Sequence, residues 1–324
     1  MFYLLRKSFI LQLLAALATL AIGGYFIFSN DLSISYIDTT LPTAQSLSVY
    51  LMEHPAGAKA ILFIAMLLQG GLFFRYFRNS GFLDEENLLP IFFFFAFLMG
   101  MGIFMPVSTA WIMNLSVLIL LNINGDIQGE SAKTATLLSG LFIGIASLYD
   151  IAAFLLLVCY LLLLLINRLE KMKEMLVAIC GLLITYIYVF SYYFFKGNLT
   201  DYLHSFRAIH FNFPIFTQTH FSLYAASAAV ILILSLVYII VRLKVYYDNK
   251  LIVMRKRFLS LCLLAIFQLI MMVCSNMPFP YSLGYLIIPL TCFFISFIPS
   301  RNFSISTELL LCLYTASLVV LAIL

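Results

Sequence analysis

Charge is what this chain has least of. Of its 324 residues only 10% are Asp, Glu, Lys or Arg, while 64% are hydrophobic and the mean hydropathy is +1.08. A water-soluble domain carries about 25% charged residues, so the polar surface needed to cover a globule of this size is missing, and a soluble fold is excluded. Histidine is scarce too, with four residues. The six cysteines, Cys159, Cys180, Cys262, Cys274, Cys292 and Cys312, form no CxxC pair and adjoin no histidine cluster. That spacing argues against a zinc site or a disulfide framework, and the thiols read as small buried hydrophobes. The sequence therefore calls for no metal and assigns no cofactor. The 15 Gly and 9 Pro are scattered, which excludes a collagen-like chain, and 32 Phe with 19 Tyr exclude a solvated, disordered one.

Long apolar runs fill most of the remainder. A spanning helix takes about 20 apolar residues, fewer inside a bundle, and eleven segments qualify: 8–28, 58–76, 88–105, 107–122, 135–149, 151–167, 175–195, 221–241, 258–275, 282–298 and 305–324. Lipid leaves no partner for an open strand edge. The expected fold is thus all-α, a polytopic transmembrane helix bundle of about 11 spans forming one integral membrane domain over 1–324, with no soluble domain. Segment 8–28 follows Arg6 and Lys7 but exceeds a typical signal-peptide core and lacks a clear cleavage site, so it reads as an uncleaved anchor. The run 135–167 is interrupted only at Tyr149-Asp150 and reads as two short helices in a hairpin, because its basic flanks, Lys133 and Arg168 to Lys173, want the same side.

Basic residues set the orientation. With the N-terminus cytoplasmic, fifteen of the 18 Lys and Arg residues fall inside and only Lys59, Lys196 and Arg207 fall outside. The inner cluster from Arg242 to Arg257 is then topogenic. No nucleic-acid-binding fold or aromatic platform accompanies it, so nucleic acid is not an expected partner. The neutral polar residues Gln12, Gln69, Asn114 and Gln268 within spans read as interhelical hydrogen-bonding groups. The absence of an acid relay disfavours a proton pump or ion-coupled carrier.

Three places could carry chemistry. Asp150, between two half-length helices, lies at an outer tip that water can reach, either as the N-cap of the following helix or as a ligand. The first outer loop, about 29–57, holds Asp31, Asp38, Glu53 and His54. Asp31 or Asp38 could act as a general base near the membrane surface, or could be a solvated acid or helix cap. Segment 41–54 reads as a short helix lying in the interface. In the second outer loop, about 196–220, apolar residues recur at spacings of three and four from Asn198 to Phe213, the pattern of an amphipathic helix. Its other face gathers Asp201, His204 and Arg207, with Lys196 and His210 nearby. These cations suit a lipid-phosphate head group, or are ordinary snorkelling side chains. The pair Gly140 and Gly144 allows close helix contact and reads as packing within the chain.

The run Ser139-Gly-Leu-Phe-Ile-Gly-Ile-Ala-Ser-Leu-Tyr-Asp150, followed by a Leu-rich span, a basic turn at Arg168 to Lys173 and another span, resembles the middle of the GT-C glycosyltransferases. These polytopic enzymes move a sugar from a polyprenyl-phosphate carrier at the outer membrane face, and in them a similar glycine-bearing segment opens a pair of short helices. Asp150 departs from the Lys or Tyr usual near that position. The chain is also similar to a family of bacterial polytopic inner-membrane proteins of unassigned activity. The resemblance implies a glycosyl transfer at the outer face of the inner membrane, with Asp31 or Asp38 in the first-loop acid position and Lys196, His204, Arg207 and His210 holding the carrier phosphate. The alternatives left open are a non-catalytic membrane subunit or scaffold in envelope assembly, with a membrane protein partner, and a lipid-linked precursor carrier.

Overall fold

A computed structural model describes residues 8–29, 41–80, 88–100, 110–125, 131–167, 171–207, 252–274 and 283–296. Every regular element among them is helical: α1 (Phe9–Ser29), α2 (Pro42–Glu53), α3 (Pro55–Ser80), α4 (Leu89–Gly100), α5 (Ala110–Gly125), α6 (Ser131–Ser147), a 3₁₀ turn (Ile151–Ala153), α7 (Phe154–Asn167), α8 (Lys171–Phe195), α9 (Leu199–Arg207), α10 (Ile252–Cys274), a second 3₁₀ turn (Leu283–Leu286) and α11 (Ile287–Ser296). Four helices, α1, α3, α8 and α10, contain stretches long and apolar enough to cross a membrane, and five shorter apolar helices accompany them. The all-helical membrane class expected from composition is therefore present. The expected spans 221–241 and 305–324 lie outside the described residues.

The run 135–167 is two helices, as the interruption at Tyr149-Asp150 suggested. α6 ends at Ser147 and the chain re-enters helix through the 3₁₀ turn at Ile151. α6 makes its main contact with α8, and glycine permits it. A Cβ built on Gly140 would stand 2.1 Å from the Ala178 carbonyl oxygen, and one on Gly181 would stand 2.4 Å from that of Leu137. Each glycine thus lies directly under a carbonyl of the facing helix, and the GxxxG pair packs within the chain. Elsewhere the core is aromatic, with Phe73 of α3 stacked on Phe94 of α4 at 4.6 Å. Outward faces of α1 and α8 carry exposed Leu, Ile and Phe. Lipid accommodates them at no cost. Cys180 is exposed on α8, contrary to the expectation that all the thiols are buried. In a lipid-facing helix an apolar thiol has no need of a protein neighbour.

Polar side chains within the helices mostly serve backbone. Gln12 Oε1 accepts from the Leu88 amide at the start of α4 (2.9 Å), and Lys59 Nζ donates to the Phe28 carbonyl at the end of α1 (3.0 Å). Arg257 of α10 donates to the Asn79 and Ser80 carbonyls that end α3 (2.8 and 2.6 Å). Helix ends leave four unpaired groups each. At these ends a side chain from a neighbouring helix supplies part of the cap.

These contacts also sort the helix ends. One end of the bundle joins Gln12 to Leu88 and Ser80 to Arg257. The other joins Phe28 to Lys59, Thr43 to Leu148, and Asp150 to Tyr285. Followed along the helices, the first end takes Arg75, Arg78, Lys133, Lys171, Lys173, Arg255, Lys256 and Arg257, whereas the second takes Lys59, Lys196 and Arg207 with Glu53, Asp150 and Asp201. The first is called the basic end below.

Candidate functional site

Of the sequence-derived candidates, Asp150, Lys196, His204 and Arg207 fall among the described residues, at the end opposite the basic one, in two local structures. The first is the turn between α8 and α9. Gly197 adopts φ 76°, a left-handed conformation that glycine takes without penalty. Around it the Gly197 amide bonds to the Phe194 carbonyl (3.0 Å) and the Asn198 amide to that of Tyr193 (3.1 Å), the paired bonds of a Schellman stop. The chain then turns back along the end of α8. Tyr202 fixes it there, buried and stacked on Tyr193 at 4.3 Å, with Phe190 edge-on at 5.8 Å. Burial pushes the Tyr202 phenol well above its ordinary range, so it stays neutral.

With Tyr202 inward, Asp201, Leu203 and His204 are exposed. Lys196 is exposed beside the stop, its Nζ 4.7 Å from the Tyr192 ring centroid. A side-chain hydrogen bond with Tyr192 raises its pKa above the usual lysine value, so the ammonium is held in its charged form. An amphipathic helix is thus present, over Leu199–Arg207 in the described residues. Lys196 and His204 lie on either side of the stop on one short stretch of chain. Arg207 is the last residue of α9, and His210 lies outside the described residues, as do Asp31 and Asp38.

The second structure is the hairpin tip. Asp150 is 3% exposed. Its Oδ1 accepts from the Ala152 amide at 2.9 Å, the N-cap geometry anticipated for it, and its Oδ2 accepts from the Tyr285 hydroxyl. The expectation that water reaches Asp150 at an open tip is therefore corrected. The second 3₁₀ turn covers the tip and substitutes a tyrosine hydroxyl for solvent, a charge-assisted bond that offsets part of the burial cost. Two neighbouring groups are tied as well. The Ser147 hydroxyl shares a 2.9 Å hydrogen bond with Tyr186 of α8, and Thr43 of α2 donates to the Leu148 carbonyl. Asp150 is built as a joint between elements. Neither oxygen is presented to a ligand.

α2, expected as a short helix at 41–54, forms over Pro42–Glu53 with proline in its first turn, where a missing amide is harmless. Glu53 is exposed, and exposed His54 lies edge-on to Tyr50 at 5.0 Å. Among the described residues no three His, Cys, Asp or Glu side chains gather as a metal site. Sequence reasoning missed Tyr285 and Thr43, which meet the tip across 135 and 105 residues, beyond any local pattern, whereas Tyr202 is buried on the apolar face that the spacing after Asn198 predicts. No family model, curated protein or solved structure matches the chain.

Proposed function

We propose that the chain is a bacterial inner-membrane protein of about 11 spans with a cytoplasmic N-terminus, and that it handles a polyprenyl-phosphate-linked sugar at the outer face by GT-C-like glycosyl transfer. The orientation is supported by the sorting of helix ends, since the basic end holds most of the described Lys and Arg, as a cytoplasmic face does. One observation carries the lipid reading. A Schellman stop and the buried Tyr202 lay α9 against the end of α8, with Lys196 and His204 on the same short stretch of chain as the stacked Tyr193 and Tyr202, and the proposed orientation sets this stretch at the outer interface. Aromatic rings favour that depth, and cations there match a phosphate. Arg207 and His210 extend the cationic stretch in sequence. Asp31 or Asp38 acts as the base toward the acceptor hydroxyl, a role worth about 10²–10⁴-fold in rate.

The test is direct. Purified protein in liposomes is titrated with polyprenyl phosphate, and a paired Lys196→Ala, Arg207→Ala variant should bind more weakly while remaining folded. Unchanged binding by a folded variant removes the lipid-phosphate reading. Transfer is tested separately with Asp31→Asn, Asp38→Asn and Glu53→Gln in complementation of a deletion strain. Full complementation by the combined variant sinks the catalytic reading. A non-catalytic subunit is then the second reading, and the engagement of both Asp150 oxygens favours it, because the buried acid at this end serves structure.

A further inference from the structure

A polar line runs inward from the hairpin tip. Asp150 meets Tyr285, Tyr285 follows Gly284 in the same 3₁₀ turn, and the Gly284 carbonyl accepts from Asn114 Nδ2 at 2.9 Å. Asn114 is one turn along α5 from Trp111, whose carbonyl accepts from Gln69 Nε2 at 3.0 Å. Gln69 is central in α3, so the line ends deep in the bundle. Gln69 and Asn114 are 0% and 1% exposed, yet Gln69 Oε1 and Asn114 Oδ1 receive no hydrogen bond from protein.

An amide oxygen left unpaired in such a place costs roughly 1–3 kcal/mol, and buried polar atoms are as a rule paired with protein or with ordered water. The residual chemistry is specific. Each amide keeps an acceptor oxygen and a second N–H. A ligand there must both donate and accept. A bare cation satisfies the oxygens but meets N–H groups and has no counter-charge, whereas water does both and typically makes about three such bonds.

We infer that Gln69 and Asn114 form a built site for bound water inside the bundle. It supplies the missing donors to the two amides, and it does not rest on the glycosyl-transfer reading. The line follows the side-chain amides rather than the glycine crossing of α6 and α8, so the two can be perturbed separately.

Radiolytic footprinting of the whole protein in nanodiscs tests this, because hydroxyl radicals made from bound water oxidise the side chains next to it. Trp111, the single tryptophan, and Met113 are 4% and 1% exposed and stand three and one residues before Asn114, so they are the reporters. Phe93 and Phe94, both 0% exposed, are the controls. The reporters should be oxidised in the native protein, and the labelling should fall severalfold in the Gln69→Leu, Asn114→Leu variant. Because that variant could fail to fold, the native protein is also mixed briefly with heavy-oxygen water before irradiation. Bound water exchanges slowly and leaves the light isotope on Trp111. Unlabelled reporters, equal labelling in native protein and folded variant, or immediate incorporation of the heavy isotope each overturn the inference.

Discussion

Alanine at Gly140 is the sharpest test of how the bundle is held together. Its new methyl would fall 2.1 Å from the Ala178 carbonyl oxygen, 3.0 Å from the carbonyl carbon and 3.2 Å from the Cα, all of them backbone of α8. No rotamer relieves a clash with backbone. Non-bonded heavy atoms prefer separations of about 3.5 Å, so α6 and α8 must part by roughly 1 Å, and a gap of that size forfeits a quarter to a half of each contact's attraction. Overpacking of this kind costs about 1–3 kcal/mol. Gly181→Ala meets the Leu137 carbonyl at 2.4 Å and should cost a similar amount. The two sites act on one gap, so once the first substitution opens it the second adds little, and the double variant should fall well short of additivity. Gly144→Ala meets the Thr185 hydroxyl at 2.7 Å, which can rotate away, and the Thr185 Cβ at 2.9 Å, which cannot, so it should also destabilise, though less than Gly140→Ala with its 2.1 Å backbone clash. Gly71→Ala meets nothing within 4 Å and should be neutral or gain up to about 1 kcal/mol from helix propensity. Denaturant titration in mixed micelles, followed by circular dichroism, reads all five variants. Native stability in Gly140→Ala, or strict additivity with Gly181→Ala, would refute the close crossing.

Further outcomes follow from the same contacts. Tyr285→Phe leaves the buried Asp150 carboxylate short of a donor and should cost about 1.5–3 kcal/mol, with the Asp150→Ala, Tyr285→Phe pair costing less than the sum, as measured by a double-mutant cycle in micelles. Arg257→Met uncaps the end of α3 and should speed amide exchange at residues 77–80 while leaving the Gly140 crossing protected, with roughly 0.5–1.5 kcal/mol lost. Cysteine introduced at Asn198 should react with an impermeant thiol reagent in intact cells, whereas cysteine at Asp248 should need permeabilised ones. Equal labelling of the two would sink the orientation. Tyr202→Ala should release α9 from α8 and expose the 197–207 stretch to protease, and continued protection would show that stacking on Tyr193 does not hold it.

What could be read in the sequence is what depends on near neighbours. Membrane class, the two-helix reading of 135–167, the amphipathic helix after Asn198 and the cap at Asp150 all follow from composition, period or adjacency. Hydropathy carries no record of partner choice. Gln12, Gln69 and Asn114 were legible as hydrogen-bonding residues, but their partners are backbone atoms of other elements at Leu88, Trp111 and Gly284, and a periodicity within one helix cannot reveal them. Arg257 illustrates the same limit from the other side. Its charge reads as topogenic, and it also caps α3 from a helix that begins more than 170 residues later.

Asp150 shows why the candidate site was only half legible. Its position between two apolar half-helices correctly marks a break where free amides need an acceptor, and the Ala152 amide takes that role. Exposure, however, depends on what packs over the break. A carboxyl group at a buried tip has two ways to lower its cost, contact with water or a donor brought in by another segment. Tyr285 takes the second way, and with it the tip acquires a fixed partner in the 3₁₀ turn, in α2 through Thr43 and in α8 through Ser147. A residue so tied cannot swing toward a substrate without breaking several bonds at once. Lys196 and His204, at the same end, are by contrast exposed to solvent.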